Sequence, residues 1–129
     1  MNLYHQALID HYKNTSYKKL LPQADFSSAH YNPSCGDRVS FQGRVQDNNL
    51  VDLAFGGSGC VISQATASML CEHFTGKDLA DPLSFTSEQL QELIGITLGP
   101  HRLRCALIAL QALQEGIVSY QTMKTADVK

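Results

Sequence analysis

Apolar residues recur along the chain with two different periods, and each period predicts one kind of element. Near the start, Leu3, Ala7 and Leu8 fall on one stripe with helical spacing, which predicts an N-terminal helix. Residues 14–34 hold prolines, serines and asparagines with little periodicity, so they are predicted to form a loop. Residues 38–56 alternate apolar and polar side chains around a polar turn, which predicts a β-hairpin.

The second half of the chain has the period of helices. One helix is predicted from about residue 60 to 74, a short one through Leu93, and a long one from Gly99-Pro100 onward. The polar tail from about residue 121 is predicted to fray. Together these elements predict a single α+β domain over residues 1–129, with a small antiparallel β-sheet and helices packed on one face.

Charge and composition exclude several classes of function. The net charge of −2 gives no broad electrostatic case for binding nucleic acid or an anionic membrane. The N-terminus lacks the basic region and apolar run of a secretory signal, and no apolar stretch is long enough to span a bilayer. The expected location is therefore cytoplasmic.

The four cysteines are the main candidates for chemistry. Without a secretion signal, a metal site or a reactive thiol is favoured over a disulfide framework. Cys35 precedes the first strand of the predicted hairpin, Cys60 lies at a strand-to-helix turn, and Cys105 lies in the first or second turn of the last helix. Binding residues are usually displayed at such boundaries. Cys71 lies in the middle of a helix and is predicted to be an inert core residue.

Asp37 can add an oxygen ligand to the three boundary cysteines, since it follows Cys35 by two residues. Three thiolates and one carboxylate complete a tetrahedral zinc site or can hold an iron–sulfur cluster. Gly36 and Gly59 allow tight turns and a close approach beside the sulfurs. A helix N-terminus stabilises a thiolate at Cys60 and at Cys105. Arg102 and Arg104 flank Cys105 and can offset part of the negative charge.

Each of these features also has a simpler interpretation. Free cysteines are often plain core residues, and Cys35-Gly36-Asp37 is also a common kind of turn before a strand. The glycines at 56–59 lack the Lys-Ser/Thr of a phosphate loop, and no Cys-x-x-Cys pair marks a zinc finger. From the residues alone, a metal site and a set of structural cysteines both remain open.

Nearly the whole chain resembles the IscU/SufU family, also called the NifU N-terminal-like family. The motifs that carry the resemblance are Leu3-Tyr4 with Ile9-Asp10-His11-Tyr12-Lys13-Asn14, Asn32-Pro33-Ser34-Cys35-Gly36-Asp37, Gly59-Cys60-Val61-Ile62-Ser63-Gln64-Ala65, Arg102-Leu103-Arg104-Cys105-Ala106 and Gln111-Ala112-Leu113.

The resemblance implies a SufE/NifU-like fold with metal ligation by Cys35, Asp37, Cys60 and Cys105. It implies a pyridoxal-phosphate-dependent cysteine desulfurase as the partner that delivers persulfide sulfur, and downstream iron–sulfur acceptor or scaffold proteins. In IscU-like members a 2Fe–2S cluster is assembled on the cysteines. In SufU-like members the site holds zinc and the protein acts as a sulfur acceptor. Cys35 is the expected persulfide acceptor, and Cys105 is the alternative.

The sequence departs from both branches of the family. IscU proteins usually have histidine immediately before the third cysteine, where this chain has Arg104. Their chaperone-binding Leu-Pro-Pro-Val-Lys segment is replaced by Leu98-Gly99-Pro100-His101-Arg102, which argues against a dedicated Hsp70-type chaperone as a partner. The segment 61–104 is too short for the insertion of SufU proteins. The chain is thus SufU-like in its residues and IscU-like in its length.

Three hypotheses follow from these features. The first is a non-enzymatic scaffold and sulfur acceptor for iron–sulfur cluster assembly. The second is a zinc-dependent sulfurtransferase that relays sulfur without holding a cluster. The third is a protein with purely structural zinc, which fits poorly because structural sites prefer a closed set of soft ligands.

Overall fold

A three-stranded antiparallel sheet and two long helices that cover one of its faces form the centre of the fold. The structure is a computed structural model that describes residues 3–14, 16–33 and 36–127. In chain order its elements are α1 (Leu3–Lys13), β1 (Phe26–Asn32), β2 (Asp37–Gln46), β3 (Asn49–Ser58), α2 (Val61–Phe74), α3 (Ala80–Leu83), α4 (Ser87–Ile94) and α5 (Pro100–Asp127).

The strand order is β1-β2-β3, with both neighbouring pairs antiparallel. Between β2 and β3 the chain turns through Asp47 and Asn48, which have φ of 53° and 64°. Two consecutive left-handed residues match the twist of the flanking strands, and short polar side chains tolerate that conformation. The predicted hairpin is confirmed, as is the α+β fold class.

Strand β1 corrects the prediction of a loop over residues 14–34. Phe26 is its one large buried side chain, while Ser28, His30 and Asn32 are only half-buried. Pairing with β2 and packing under α5 hold this polar segment extended, and the Ser28 hydroxyl donates a hydrogen bond to the Ala112 carbonyl oxygen of α5. Tertiary contacts thus form a strand that its own composition does not indicate.

Helices α2 and α5 bury the core against the sheet. Helix α5 packs on β1 and β2, α2 packs on β3, β2 and α5, and α1 packs on the outer side of α2. Helix α2 is therefore buried almost all round, including four polar residues. Its axis leads from the core to the end of the sheet where β2 begins and β3 ends, which brings its N-terminus beside Asp37.

The ends of the helices agree with their sequence signals. Thr86 caps α4 with a reciprocal capping box to Gln89, and α5 begins at Pro100. Helix α5 continues to Asp127, past the position where the sequence predicts fraying, so fraying in solution stays a prediction. Within the described residues, no helix is both long enough and apolar enough to cross a membrane.

Candidate metal centre

Three of the four predicted ligands meet at one end of the sheet. Asp37 is the first residue of β2, Cys60 is the residue that caps α2, and Cys105 lies in the second turn of α5. One ligand atom from each lies within 4.8 Å of the others. Cys35, the predicted fourth ligand, lies outside the described residues. The fold thus brings together side chains that are far apart in the sequence, from three different elements.

Cys60 and Asp37 are joined by two hydrogen bonds. The Cys60 backbone N–H donates to Asp37 Oδ1 at 3.0 Å, and the Cys60 thiol donates to Asp37 Oδ2 at 3.1 Å. The Cys60 sulfur also accepts the Ser63 backbone N–H at 3.5 Å, so it acts as the N-cap of α2. A thiolate at this position gains from the unpaired N–H groups and the positive end of the helix dipole.

Gly59 makes the close approach of Asp37 and Cys60 possible. Its φ is +150°, a conformation that side chains disfavour, and a Cβ at this position would meet Asp37 Cγ at 2.7 Å and Asp37 Cα at 3.0 Å. Gly36 has φ of +75°, and within the part of the chain that the structure describes no atom beyond its neighbours lies within 4 Å of a would-be Cβ. The two glycines predicted to flank the sulfurs therefore act differently: Gly36 supplies a turn, and Gly59 supplies space for the Asp37 carboxylate.

The burial of these acidic side chains favours a bound cation between them. Asp37 and Cys105 are each 2% exposed, and Cys60 is partly exposed. Carboxylate and thiolate groups in such an environment need a positive partner, and a mixed oxygen and sulfur donor set suits zinc or iron. The donor residues present therefore fit such a metal. Arg102 and Arg104 are exposed on α5, and their predicted role in offsetting the negative charge stays a prediction.

Two buried polar residues of α2 extend the centre and were missed from the sequence. Ser63 is fully buried and Gln64 is 3% exposed. Gln64 Nε2 donates to the Arg38 carbonyl oxygen and to Ser63 Oγ, both at 3.4 Å, and Ser63 Oγ donates to the Cys60 carbonyl oxygen at 3.2 Å. The available signal was a pair of polar residues within one turn of Cys60, in a helix that is otherwise mostly apolar.

Cys71 is separate from this centre. It is fully buried in the core face of α2, and burial raises the pKa of its thiol far above the ordinary range, with a small opposing effect of Lys19. A thiol that stays protonated is a poor nucleophile and a poor metal ligand. The structure therefore agrees with the prediction that Cys71 is an inert core residue.

The chain matches the model of the NifU-like N terminal domain over residues 3–127. It belongs to this family. One relative is the zinc-dependent sulfurtransferase SufU of Bacillus subtilis (strain 168), which is 33% identical over 132 residues, with 89% of each chain covered. Another is the iron–sulfur cluster assembly scaffold protein IscU 1 of Archaeoglobus fulgidus, which is 31% identical over 118 residues, covering 92% of this chain and 76% of the relative.

Solved structures show the same fold. A crystal structure described as a putative iron–sulfur cluster assembly scaffold protein for the SUF system, from Fervidobacterium islandicum AW-1, superposes with a TM-score of 0.78. It is 21% identical and covers 87% of this chain and 94% of its own. The N-terminal part of a NifU-like protein from Brucella abortus superposes with a TM-score of 0.75 at 15% identity, covering 93% and 95%. At these identities the likeness supports the fold alone.

Proposed function

We propose that this chain is an iron–sulfur cluster assembly protein. It accepts persulfide sulfur from a pyridoxal-phosphate-dependent cysteine desulfurase, and it assembles or relays a cluster on Cys35, Asp37, Cys60 and Cys105. The observation that carries the proposal is the convergence of Asp37, Cys60 and Cys105, with ligand atoms within 4.8 Å of one another, in a member of the NifU-like N terminal domain family.

The residues of the centre have distinct tasks in this proposal. A bound zinc or iron ion would hold the cysteines as thiolates. With such an ion bound, the Cys60 thiol would lose to solvent the proton that it donates to Asp37 Oδ2, and the Ser63 backbone N–H would stabilise the charge on the sulfur. Asp37 supplies the one hard oxygen ligand among soft sulfurs. Such a mixed set favours exchange over permanent storage, as delivery of a cluster requires.

The transfer of sulfur from the desulfurase is an exchange between a thiolate and a persulfide, so it needs no oxidant. The Cys35 thiolate attacks the terminal sulfur of the desulfurase persulfide, the sulfur–sulfur bond of the donor breaks, and the donor cysteine leaves as a thiolate. Cys105 is the alternative acceptor. When a cluster is built, the transferred sulfur is reduced to sulfide, and the electrons come from ferrous iron and a dithiol. Iron and sulfur are in this sense substrates of the centre.

A zinc-dependent sulfurtransferase is the second candidate. The SufU relative is 33% identical, and Arg104 replaces the histidine that IscU proteins usually have. However, the segment 61–104 of this chain is too short for the insertion that SufU proteins usually carry. The missing insertion favours the scaffold.

Anaerobic reconstitution separates the two candidates. The protein is incubated with ferrous iron, a cysteine desulfurase, free cysteine and a dithiol, and then analysed by visible absorption and metal content. A scaffold develops sulfur-to-iron charge-transfer bands, which should persist in Cys71→Ala and be lost in Cys105→Ala. Tightly retained stoichiometric zinc without these bands would support the sulfurtransferase instead. The cytoplasmic location stays a prediction.

A further inference from the structure

Gln64 is a buried amide one helical turn after Cys60, and its contacts link the two segments that carry Asp37 and Cys60. We propose that Gln64 is a positioning residue of the Cys/Asp centre. Its amide holds the start of β2, which carries Asp37, at a fixed distance from the first turn of α2, which carries Cys60. The protein keeps this amide at a cost in folding stability. The inference rests on the proposed metal site.

The contacts of Gln64 reach both ligand-bearing segments through the backbone. Its Nε2 donates to the carbonyl oxygen of Arg38, the residue after Asp37, and to Ser63 Oγ, which in turn donates to the Cys60 carbonyl oxygen. The orientation of the amide is determined by Arg38, because a carbonyl oxygen only accepts hydrogen bonds. A continuous hydrogen-bonded bridge therefore runs from the backbone of β2 to the backbone of α2.

The bond from Gln64 to the Arg38 carbonyl oxygen is independent of the chemistry of the ligands, whereas Ser63 Oγ also accepts a hydrogen bond from the Cys60 thiol at 3.8 Å. The direct bond from the Cys60 thiol to Asp37 Oδ2 uses a proton that is displaced when a metal binds the thiolate. The Gln64 bonds involve neither the sulfur nor the carboxylate, so they persist with and without metal. They therefore hold the two ligand-bearing segments in place while one metal leaves and the next binds.

The amide oxygen of Gln64 indicates that this residue does not contribute to folding stability. Gln64 Oε1 is buried, and no protein group among the described residues donates a hydrogen bond to it. A buried acceptor without a donor is costly, and replacing a partly satisfied polar group by an apolar one of the same shape can be neutral or stabilising. Methionine has nearly the shape of glutamine and no amide. Gln64→Met should therefore weaken metal retention without weakening the fold.

Gln114 offers a matched control. Its Nε2 likewise donates two hydrogen bonds, here to the backbone carbonyl oxygens of Pro82 at 3.0 Å and Phe85 at 3.3 Å, and these bonds tie α5 to the segment around α3. Gln64→Met and Gln114→Met therefore make the same chemical change at the centre and away from it. Two readouts are compared: the melting temperature of the metal-free protein, and the rate of cobalt(II) release to a chelator together with the cobalt absorption spectrum.

For Gln64→Met we expect an unchanged or higher melting temperature, cobalt release about three- to tenfold faster than in the wild type, and shifted cobalt bands. For Gln114→Met we expect a lower melting temperature with unchanged release and spectrum. Ser63→Ala interrupts the same bridge, so its effect on release should not add to that of Gln64→Met in the double variant. If Gln64→Met does not fold, the claim of a stability cost is refuted, and Ser63→Ala still tests the bridge through its effect on cobalt release.

Three results would count against the inference in distinguishable ways. If the wild type binds cobalt and both Gln64→Met and Ser63→Ala release it at the wild-type rate, Gln64 is not a positioning residue, although the metal centre stands. If the wild type binds no stoichiometric metal, the proposed centre and this inference both fail. A clear loss of melting temperature in Gln64→Met would refute the claim that the amide is kept at a cost in stability.

Discussion

Gly59→Ala is the change that tests the geometry of the centre most severely. The new Cβ would be placed within 2.7 Å of Asp37 Cγ and 3.0 Å of Asp37 Cα, and in contact with Asp37 Oδ1. The backbone and the carboxylate have to move apart, because real Cβ atoms do not approach other atoms this closely. We therefore expect the alanine to displace Asp37 from Cys60, and so to damage both the fold and metal binding.

The loss of folding stability expected for Gly59→Ala can be estimated by comparison with a second glycine, Gly76. At Gly59 the positive φ of +150° costs about 1–3 kcal/mol for alanine, and overpacking against Asp37 adds about 1–3 kcal/mol. Gly76 has φ of +90°, but no atom of another described residue beyond its chain neighbours lies within 4 Å of its would-be Cβ, so Gly76→Ala carries only the cost of the backbone conformation. Alanine reduces the entropy of the unfolded chain equally at both positions, and this effect cancels in the comparison.

Urea unfolding of the metal-free proteins should show Gly59→Ala to be less stable than Gly76→Ala by about 1–3 kcal/mol. Zinc affinity should fall in Gly59→Ala and remain at the wild-type level in Gly76→Ala. The double variant Gly59→Ala/Asp37→Ala should lose less free energy of unfolding than the sum of the losses in the two single variants, because the carboxylate atoms that clash with the alanine are then absent. Equal stability of the two glycine variants, with equal zinc affinity, would refute this account of the centre.

Three further predictions follow. In Asp37→Ala the centre should exchange its metal or cluster more slowly, since the oxygen ligand is expected to set lability; faster release to a chelator would count against this. After reaction with a desulfurase and free cysteine, mass spectrometry should find the added sulfur on Cys35, and label on Cys105 alone with full transfer in Cys35→Ser would reverse the assignment. Burial, and secondarily Lys77, lowers the pKa of His73 from 6.5, so the folded protein binds this proton less readily than the unfolded chain. The urea midpoint should therefore fall as the pH drops below about 6.5, and less steeply in His73→Gln; an identical slope in both proteins would contradict the assignment.

The elements with strong periodicity could be predicted from the sequence. The hairpin and the helices around residues 60–74 and 100 onward show clear alternation or helical spacing, and their turn and cap residues agree with it. Strand β1 could not be predicted, because its inward-facing positions after Phe26 are occupied by serine, histidine and asparagine. Its extended form depends on β2 and α5, which are far away in the sequence.

In the candidate site, too, some residues have a local sequence signal and others depend on contacts with distant parts of the chain. That Asp37, Cys60 and Cys105 come together could be predicted, because ligand types at element boundaries are a local signal, and their role as ligands stays a prediction. The role of Gln64 could not be predicted, because it depends on which backbone carbonyl oxygen lies beside its amide, and only the packing of α2 against the start of β2 brings the Arg38 carbonyl there. The reason for glycine at position 59 could not be predicted either, because the sequence indicates a tight turn but not that the Asp37 carboxylate packs against it.

The central claim is that Asp37, Cys60 and Cys105 are ligands of one metal centre while Cys71 is not. Native mass spectrometry of protein purified anaerobically with zinc tests this directly, using Cys60→Ala, Cys105→Ala and Cys71→Ala. We predict about one zinc ion per chain in the wild type and in Cys71→Ala, and almost none in the other two variants. Loss of zinc in Cys71→Ala as severe as in Cys60→Ala, or full retention in Cys60→Ala, would contradict the claim.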